Sequence, residues 1–352
     1  MSVPSEKPMI HSARATAATL SIGPFQLGNG CVLPEVNVAY ATYGTLAPDG
    51  RNAILVTHGY TASHQMLAHG AGVAEGSWAP LIGAGKPLDT ERYFIVCSNI
   101  LGSSYGTTGP ASTDPRSGRP YGHDFPDISF TDIVGVQRRL LERLGVMHLR
   151  AVVGPSYGGF QALQWAVDHP DMVAAIGVIA SGPFFARNAY TDLAVLQAQL
   201  GADPAWRAGA YPQPGQMRAT LRALRIATLT TYGMDAVLQD QGLDAAARAQ
   251  RIDAMADAWA REFDPGALVV LLKAGLAFDV RARLHEIRAD VLHVIASTDT
   301  LFPPNATHSS DLQGVGAARL RYLEMDTPYG HTATGPAHAL WSDALRQLIG
   351  VA

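Results

Sequence analysis

The stretch from Leu149 to Ala166 constrains this chain more than any other. Leu149, Ala151, Val152 and Val153 read as a short buried strand, and Phe160, Leu163 and Trp165 onwards read as a helix. Between them lies Gly154-Pro155-Ser156-Tyr157-Gly158-Gly159, which fits G-x-S-x-G. A strand that feeds straight into a helix needs a very tight bend. Glycines two before and two after the serine let the backbones pass without a Cβ clash, and the serine is held strained with its Oγ exposed. The helix N-terminus behind it offers free N–H groups and a positive dipole end where an oxyanion would form. Three fixed positions also match by chance in a chain with 35 glycines. An ordinary Gly-rich turn is therefore the competing reading, and partner residues must decide between them.

The length of 352 residues exceeds the usual single core, so one large α/β domain with an insertion, or two domains, is expected. Apolar residues make up 47%, enough for a full core. The formal charge is −4 and no Lys/Arg cluster occurs, which argues against nucleic acid or an anionic membrane as partner. Cys31 and Cys97 fit no metal spacing and suggest no disulfide framework; Cys97 reads as core filler in a strand. Met1 to Ala18 lacks a continuous apolar segment, and no run of about 20 apolar residues exists. A cytoplasmic, soluble protein is the expectation.

Candidate strands are Ala18–Phe25, Val36–Tyr43, Ala53–Thr57, Tyr93–Ser98, Leu149–Val153, Ala174–Ile179, Val291–Ala296 and Leu320–Met325. From Ala53 onward they are short, apolar and separated by helical patterns, the signature of a mainly parallel sheet with helices on both faces. Val36–Tyr43 alternates more, as an edge hairpin strand would. Helices are predicted at Asp132–Leu144, Gly158–His169 and Pro336–Ile349, the first capped by Thr131 or Asp132 and stopped by Gly145. Between Gly182 and Arg283 the strand signal vanishes into helices at Ala189–Leu200, Pro214–Thr231, Asp244–Phe263 and Asp264–Phe278. With no Ser/Pro/Gly linker on either side, this segment reads as a lid: residues 183–282 inserted into a core made of 1–182 and 283–352. The apolar stripe Leu268, Leu271, Leu272 and Leu276 reads as packing within it. The long Gly/Ser/Thr/Pro-rich loop Leu101–Ser129 follows the end of a parallel strand and is expected to wall the active site.

A serine hydroxyl needs a base within hydrogen-bond reach and an acid to orient that base. On such a sheet the chain order is Ser, then Asp or Glu, then His. Asp299 follows the strand Val291–Ala296, and His331 follows Leu320–Met325, so both fall at the rim that carries Ser156. Asp299 could instead be a turn or cap residue. Asp279 and Asp326 are rivals, although Asp326 lies very near His331 in the chain. The chain has twelve histidines, and His331 stands out by its position and by the preceding Gly330. The oxyanion hole needs two backbone N–H donors: Tyr157, just after the nucleophile, and Tyr60 in the loop His58-Gly59-Tyr60-Thr61-Ala62. His58 reads as a structural hydrogen-bond former. Gly83-Ala84-Gly85-Lys86, Gly70-Ala71-Gly72 and the pair His64 and His69 complete no nucleotide or metal motif, so no cofactor or metal is expected.

These residues resemble the homoserine O-acetyltransferase-like family of α/β-hydrolases over nearly the whole chain. The elbow followed by Gln161-Ala162-Leu163-Gln164-Trp165-Ala166 is similar to the family's. So are His58 to His64, Asn99-Ile100-Leu101-Gly102, Thr108-Gly109-Pro110, Pro115 to Gly122 and Phe125-Pro126. Asp203-Pro204-Ala205-Trp206 with Gly209 and Tyr211, Phe263-Asp264, Leu301-Phe302-Pro303 and Tyr329-Gly330-His331 complete the set. The resemblance implies an α/β-hydrolase fold with an inserted helical lid and a tunnel. It also implies a Ser156–His331–Asp299 triad, an acyl-serine intermediate and often a homodimer, here through the lid. Two departures stand out. Family members that acetylate homoserine usually carry Tyr-Arg-Ser in the lid, where this chain has Tyr232-Gly233-Met234. They also carry Asp after the catalytic His, where this chain has Thr332. A zwitterion needs a cation for its carboxylate and a carboxylate for its ammonium. With both readers absent at the pocket positions Tyr232, Gly233 and Thr332, the natural substrate is not expected to be homoserine.

The expected activity is hydrolysis of a small-molecule ester or thioester through acyl-Ser156. The alternative is an O-acyltransferase with acetyl-CoA as co-substrate. A non-enzymatic binding protein on the same scaffold is a third reading, against which the intact Ser156, Asp299 and His331 speak.

Overall fold

The computed structural model describes residues 15–185, 192–207, 211, 213–304, 312, 314–315 and 320–351. Eight strands form one sheet: β1 (Thr16–Ser21), β2 (Asn37–Tyr43), β3 (Ala53–Thr57), β4 (Phe94–Ser98), β5 (Leu149–Pro155), β6 (Ala175–Ile179), β7 (Asp290–Ala296) and β8 (Leu320–Met325). Their order is β1-β2-β4-β3-β5-β6-β7-β8. Only β2 runs against its neighbours β1 and β4; every pairing from β4 to β8 is parallel. Strands β3, β5 and β6 are buried along nearly their whole length, as apolar runs of Val, Ile, Leu and Ala covered on both faces must be.

The helices that follow these strands are α1 (Phe130–Arg143) and α2 (Tyr157–Asp168), with α9 (Ser342–Val351) closing the chain. Side chains of α1 and α2 share one core with one face of the sheet, while α9, Trp78 and Trp341 fill the other. Among the described residues, six α-helices lie between β6 and β7: α3 (Leu193–Ala202), α4 (Pro204–Arg207), α5 (Arg218–Tyr232), α6 (Met234–Asp240), α7 (Ala245–Ala260) and α8 (Pro265–Leu276). Asp192, Asp244 and Asp264 cap α3, α7 and α8 with their carboxylates on first-turn N–H groups. Leu268, Leu271 and Leu272 are buried, as the apolar stripe of α8 predicts. The expected helix start at 189–191 and Gly209 lie outside the described residues. Among the described residues no helix is long and apolar enough to cross a membrane.

Several sequence expectations need correction. The stretch Ala18–Phe25 is not one strand. Gly23, at φ 76°, and Pro24 break it, and Phe25–Gln26 pairs separately with Val32–Leu33. Strand β2 is the second strand, not the edge. Helix α1 is capped by Ser129 in a reciprocal box with Asp132, which is its third residue and not its cap. Pro336–Ile349 is α-helical only from Ser342. The preceding residues form tight turns, tied down by Trp341 Nε1 donating to the Thr334 carbonyl and by Trp78 Nε1 donating to Thr334 Oγ1. The loop after β4 does not wall the cavity at Ser156. It supports α8 from below: the Asp264 carboxylate accepts from Ala111 N–H, and Asp264 N–H donates to Ser104 Oγ.

Candidate active site

Ser156 sits between β5 and α2 with φ 53° and ψ −121°, a backbone state that side chains other than glycine rarely adopt. The neighbouring glycines explain how that state is enforced. A Cβ on Gly158 would fall 2.4 Å from the carbonyl oxygen of Thr57, and one on Gly159 would fall 2.4 Å from Cβ of Ser181. The end of β3 is thus pressed against the elbow, and Thr57 Oγ1 donates to the Gly158 carbonyl at 2.8 Å. Ser156 N–H is fastened to the Ile179 carbonyl at 2.8 Å.

Asp299 and His331 meet as the chain order requires. His331 Nδ1 donates to Asp299 Oδ2 at 2.8 Å, with both residues buried. The other oxygen, Oδ1, accepts from the N–H groups of Leu301 at 2.8 Å and Phe302 at 3.1 Å, so the carboxylate is aimed by its own loop. Phe302 stacks on the imidazole and Tyr232 meets it edge-on. The other ring nitrogen, Nε2, has no hydrogen-bond partner among the described residues. Burial alone would lower the His331 pKa. The charge of Asp299, its hydrogen bond and the charge of Glu75 together raise it above the ordinary imidazole value. The rivals fall away: Asp326 is exposed, and exposed Asp279 pairs with Arg281.

The N–H groups of Tyr60 and Tyr157 donate to no acceptor among the described residues. Two free donors, one from the loop after β3 and one at the start of α2, are what an oxyanion would need. His58 is fully buried and structural, with Nδ1 donating to the Gly59 carbonyl and Nε2 accepting from Ile100 N–H. Burial pushes its pKa down to about 4, so it stays neutral.

A cavity of about 230 Å³ opens on Ser156 and is lined mostly by apolar side chains of α3, α5 and α8. Tyr232 lines it, as expected; Gly233 and Thr332 do not. Thr332 is fully buried and donates its hydroxyl to the Ala74 carbonyl at 3.0 Å. Gly233 turns α5 into α6 at φ 99°, where a Cβ would fall 2.5 Å from the Tyr329 carbonyl oxygen. Sequence reasoning missed Arg225, which lines this cavity and puts a cation beside it that the readings at Gly233 and Thr332 did not foresee. Arg225 is buried, donates to Thr61 Oγ1 at 2.6 Å and the Gly72 carbonyl at 3.0 Å, and stacks over Trp259. Its signal was readable: Arg225, Thr228 and Tyr232 follow helical spacing on one face of α5.

A family model for the alpha/beta hydrolase fold matches residues 52–331. The chain is 36% identical to the homoserine O-acetyltransferase of Rhodopseudomonas palustris (strain HaA2), over 88% of this chain and 84% of that protein. Among solved structures, esterase E22 superposes with a TM-score of 0.81 at 26% identity, covering 96% of this chain and 100% of that one. A homoserine O-acetyltransferase from Bacillus anthracis gives 0.81 at 25% identity, covering 95% and 97%. The chain belongs to the homoserine O-acetyltransferase-like family of α/β-hydrolases, and it is an enzyme of the serine hydrolase and acyltransferase class.

Proposed function

We propose that this enzyme hydrolyses short-chain, acetyl-type carboxylic esters through an acyl-Ser156 intermediate. Ser156 Oγ attacks the ester carbonyl while His331 Nε2 takes its proton. Asp299 stabilises the imidazolium, and the N–H groups of Tyr60 and Tyr157 receive the oxyanion. His331 then protonates the leaving alcohol. Water, deprotonated by His331, attacks the acyl carbonyl and returns Ser156 to its free form.

The observation that carries hydrolysis is the missing counterion for an acceptor ammonium. Among the described residues, Asp192 is the one carboxylate lining the cavity. It is exposed at the rim, and its Oδ1 is spent on the N–H groups of Ala194 and Val195. Thr332, where the family's homoserine-acetylating members carry Asp, faces the Ala74 backbone instead. A zwitterionic acceptor would bury its ammonium unpaired, which costs several kcal/mol, of order 3 or more.

One observation favours transfer as a second reading. Arg225, a buried cationic side chain, lines the cavity, and its charge would favour the carboxylate of an acceptor alcohol, with acetyl-CoA as acyl donor. An acyl-partition assay separates the two. Protein and a Ser156→Ala control receive acetyl-CoA with homoserine in one tube and nitrophenyl acetate in another. Ester hydrolysis without O-acetylhomoserine is expected; efficient O-acetylhomoserine formation would overturn hydrolysis in favour of transfer.

A further inference from the structure

One buried carboxylate beside the site plays no part in these steps. Glu75 is fully buried, and neither of its carboxylate oxygens has a hydrogen-bond partner among the described residues. Its backbone is held by the turn that carries His331. Thr334 Oγ1 donates to the Glu75 carbonyl at 2.6 Å, and Thr332 Oγ1 to the carbonyl of Ala74. Its carboxylate lies against the oxyanion loop. A Cβ on Gly59 would fall 2.0 Å from Oε1 and 2.5 Å from Cδ of Glu75. Gly59 does not have the positive φ that demands glycine, so the glycine there is explained by the room Glu75 needs.

A buried carboxylate without donors is costly, and a fold that keeps one at its active site gains something in return. The groups that feel its charge are His331 and Tyr232, with Arg225 as the cation, itself anchored on Thr61 two residues beyond Gly59. Glu75 and Arg225 form no direct ion pair among the described residues.

We propose that Glu75 is a positioning residue of the acyl-transfer site: a second negative charge that, with Asp299, stabilises the His331 imidazolium, and a wedge that holds the Gly59–Tyr60 loop for the oxyanion. This rests on acyl transfer through Ser156, and it holds for hydrolysis and transfer alike, because both pass through the same imidazolium.

The test is the rate at which a fluorophosphonate labels Ser156 as a function of pH, in the wild type, Glu75→Gln and Glu75→Asp. Labelling needs neutral His331, so its acidic limb reads the imidazole pKa, and a limb position does not depend on how much of the protein is folded. Glu75→Gln keeps the volume against Gly59 and removes the charge. Its limb is expected to move to lower pH by about half a unit or more, with a plateau about tenfold lower. Glu75→Asp keeps the charge, and its limb is expected to stay at the wild-type position. A Glu75→Gln limb that stays in place or moves up would overturn the role of Glu75. Absence of labelling in the wild type at every pH would instead overturn the acyl-Ser156 reading itself.

Discussion

Tyr60 and Tyr157, the two residues whose N–H groups are free at the elbow, spend their phenol hydroxyls on the same helix. Tyr60 OH donates to the Leu268 carbonyl and Tyr157 OH to the Leu271 carbonyl at 3.1 Å, one turn apart on α8. Their rings lie 5.9 Å apart. The backbone of each residue faces the chemistry while its side chain holds the helical segment in place. Tyr60→Phe and Tyr157→Phe should each cost about 1 kcal/mol of stability, since the carbonyls keep their helical donors. The backbone N–H groups remain, so the acylation rate should stay within about tenfold of wild type. Chemical denaturation and burst kinetics on nitrophenyl acetate check both; a loss of acylation beyond about a hundredfold would show that the hydroxyls do more than anchor.

Ser156 stores backbone strain that its side chain does not relieve. Glycine adopts φ 53° without a Cβ penalty, so Ser156→Gly should be more stable than Ser156→Ala by about 1 kcal/mol or more, although both are inactive. Thermal melts of the two variants side by side decide it.

The pH profile follows from His331. Its pKa lies above the ordinary imidazole value of 6.5. The base must be neutral to accept the Ser156 proton, so kcat/KM should rise with pH through a limb above 6.5 and be lost progressively below it. A limb at or below 6.5 in a pH–rate series on a neutral ester would contradict the charge arrangement around the imidazole.

Arg225 offers a clean split between a charge reader and a packing residue. Arg225→Gln should raise KM about tenfold or more for an ester bearing a carboxylate, and leave KM for a neutral acetyl ester within about threefold. The same variant should lose about 2 kcal/mol of stability, because Thr61 Oγ1 and the Gly72 carbonyl lose their charged donor. Equal rises in both KM values would mean that Arg225 shapes the cavity without reading charge.

The positions of Ser156, Asp299 and His331 at one rim were legible in the chain because strand ends are legible. Ser156, Asp299 and His331 each follow a short apolar run, and parallel strands bring such ends to one rim. Arg225 and Glu75 were not legible in that way. Arg225 needs the packing of α5 onto the core to show which face of that helix looks at Ser156. Glu75 lies in a long irregular stretch with no periodicity, and its burial becomes visible only when the turn at Thr332–Thr334 closes over it. Thr332 itself was read as a pocket position from the resemblance, which puts an Asp directly after the catalytic His. Adjacent residues in a tight turn diverge, and its hydroxyl points to a backbone carbonyl instead. The reach of the loop Leu101–Ser129 was misjudged for a related reason: its composition marks a loop, but its side chains and backbone are committed to Asp264 beneath α8.

The left-handed turn at Gly233 limits which substitutions this site can accept. Any side chain there collides with the Tyr329 carbonyl, one residue from the turn that presents His331. An arginine could enter only after the Tyr329–Gly330 peptide had been rebuilt, and that rebuilding would disturb the base. A single substitution at Gly233 is therefore costly unless the facing peptide moves with it. Substitutions on the sides of α3 and α5 that face the cavity leave this turn intact, so substrate range would widen more readily there.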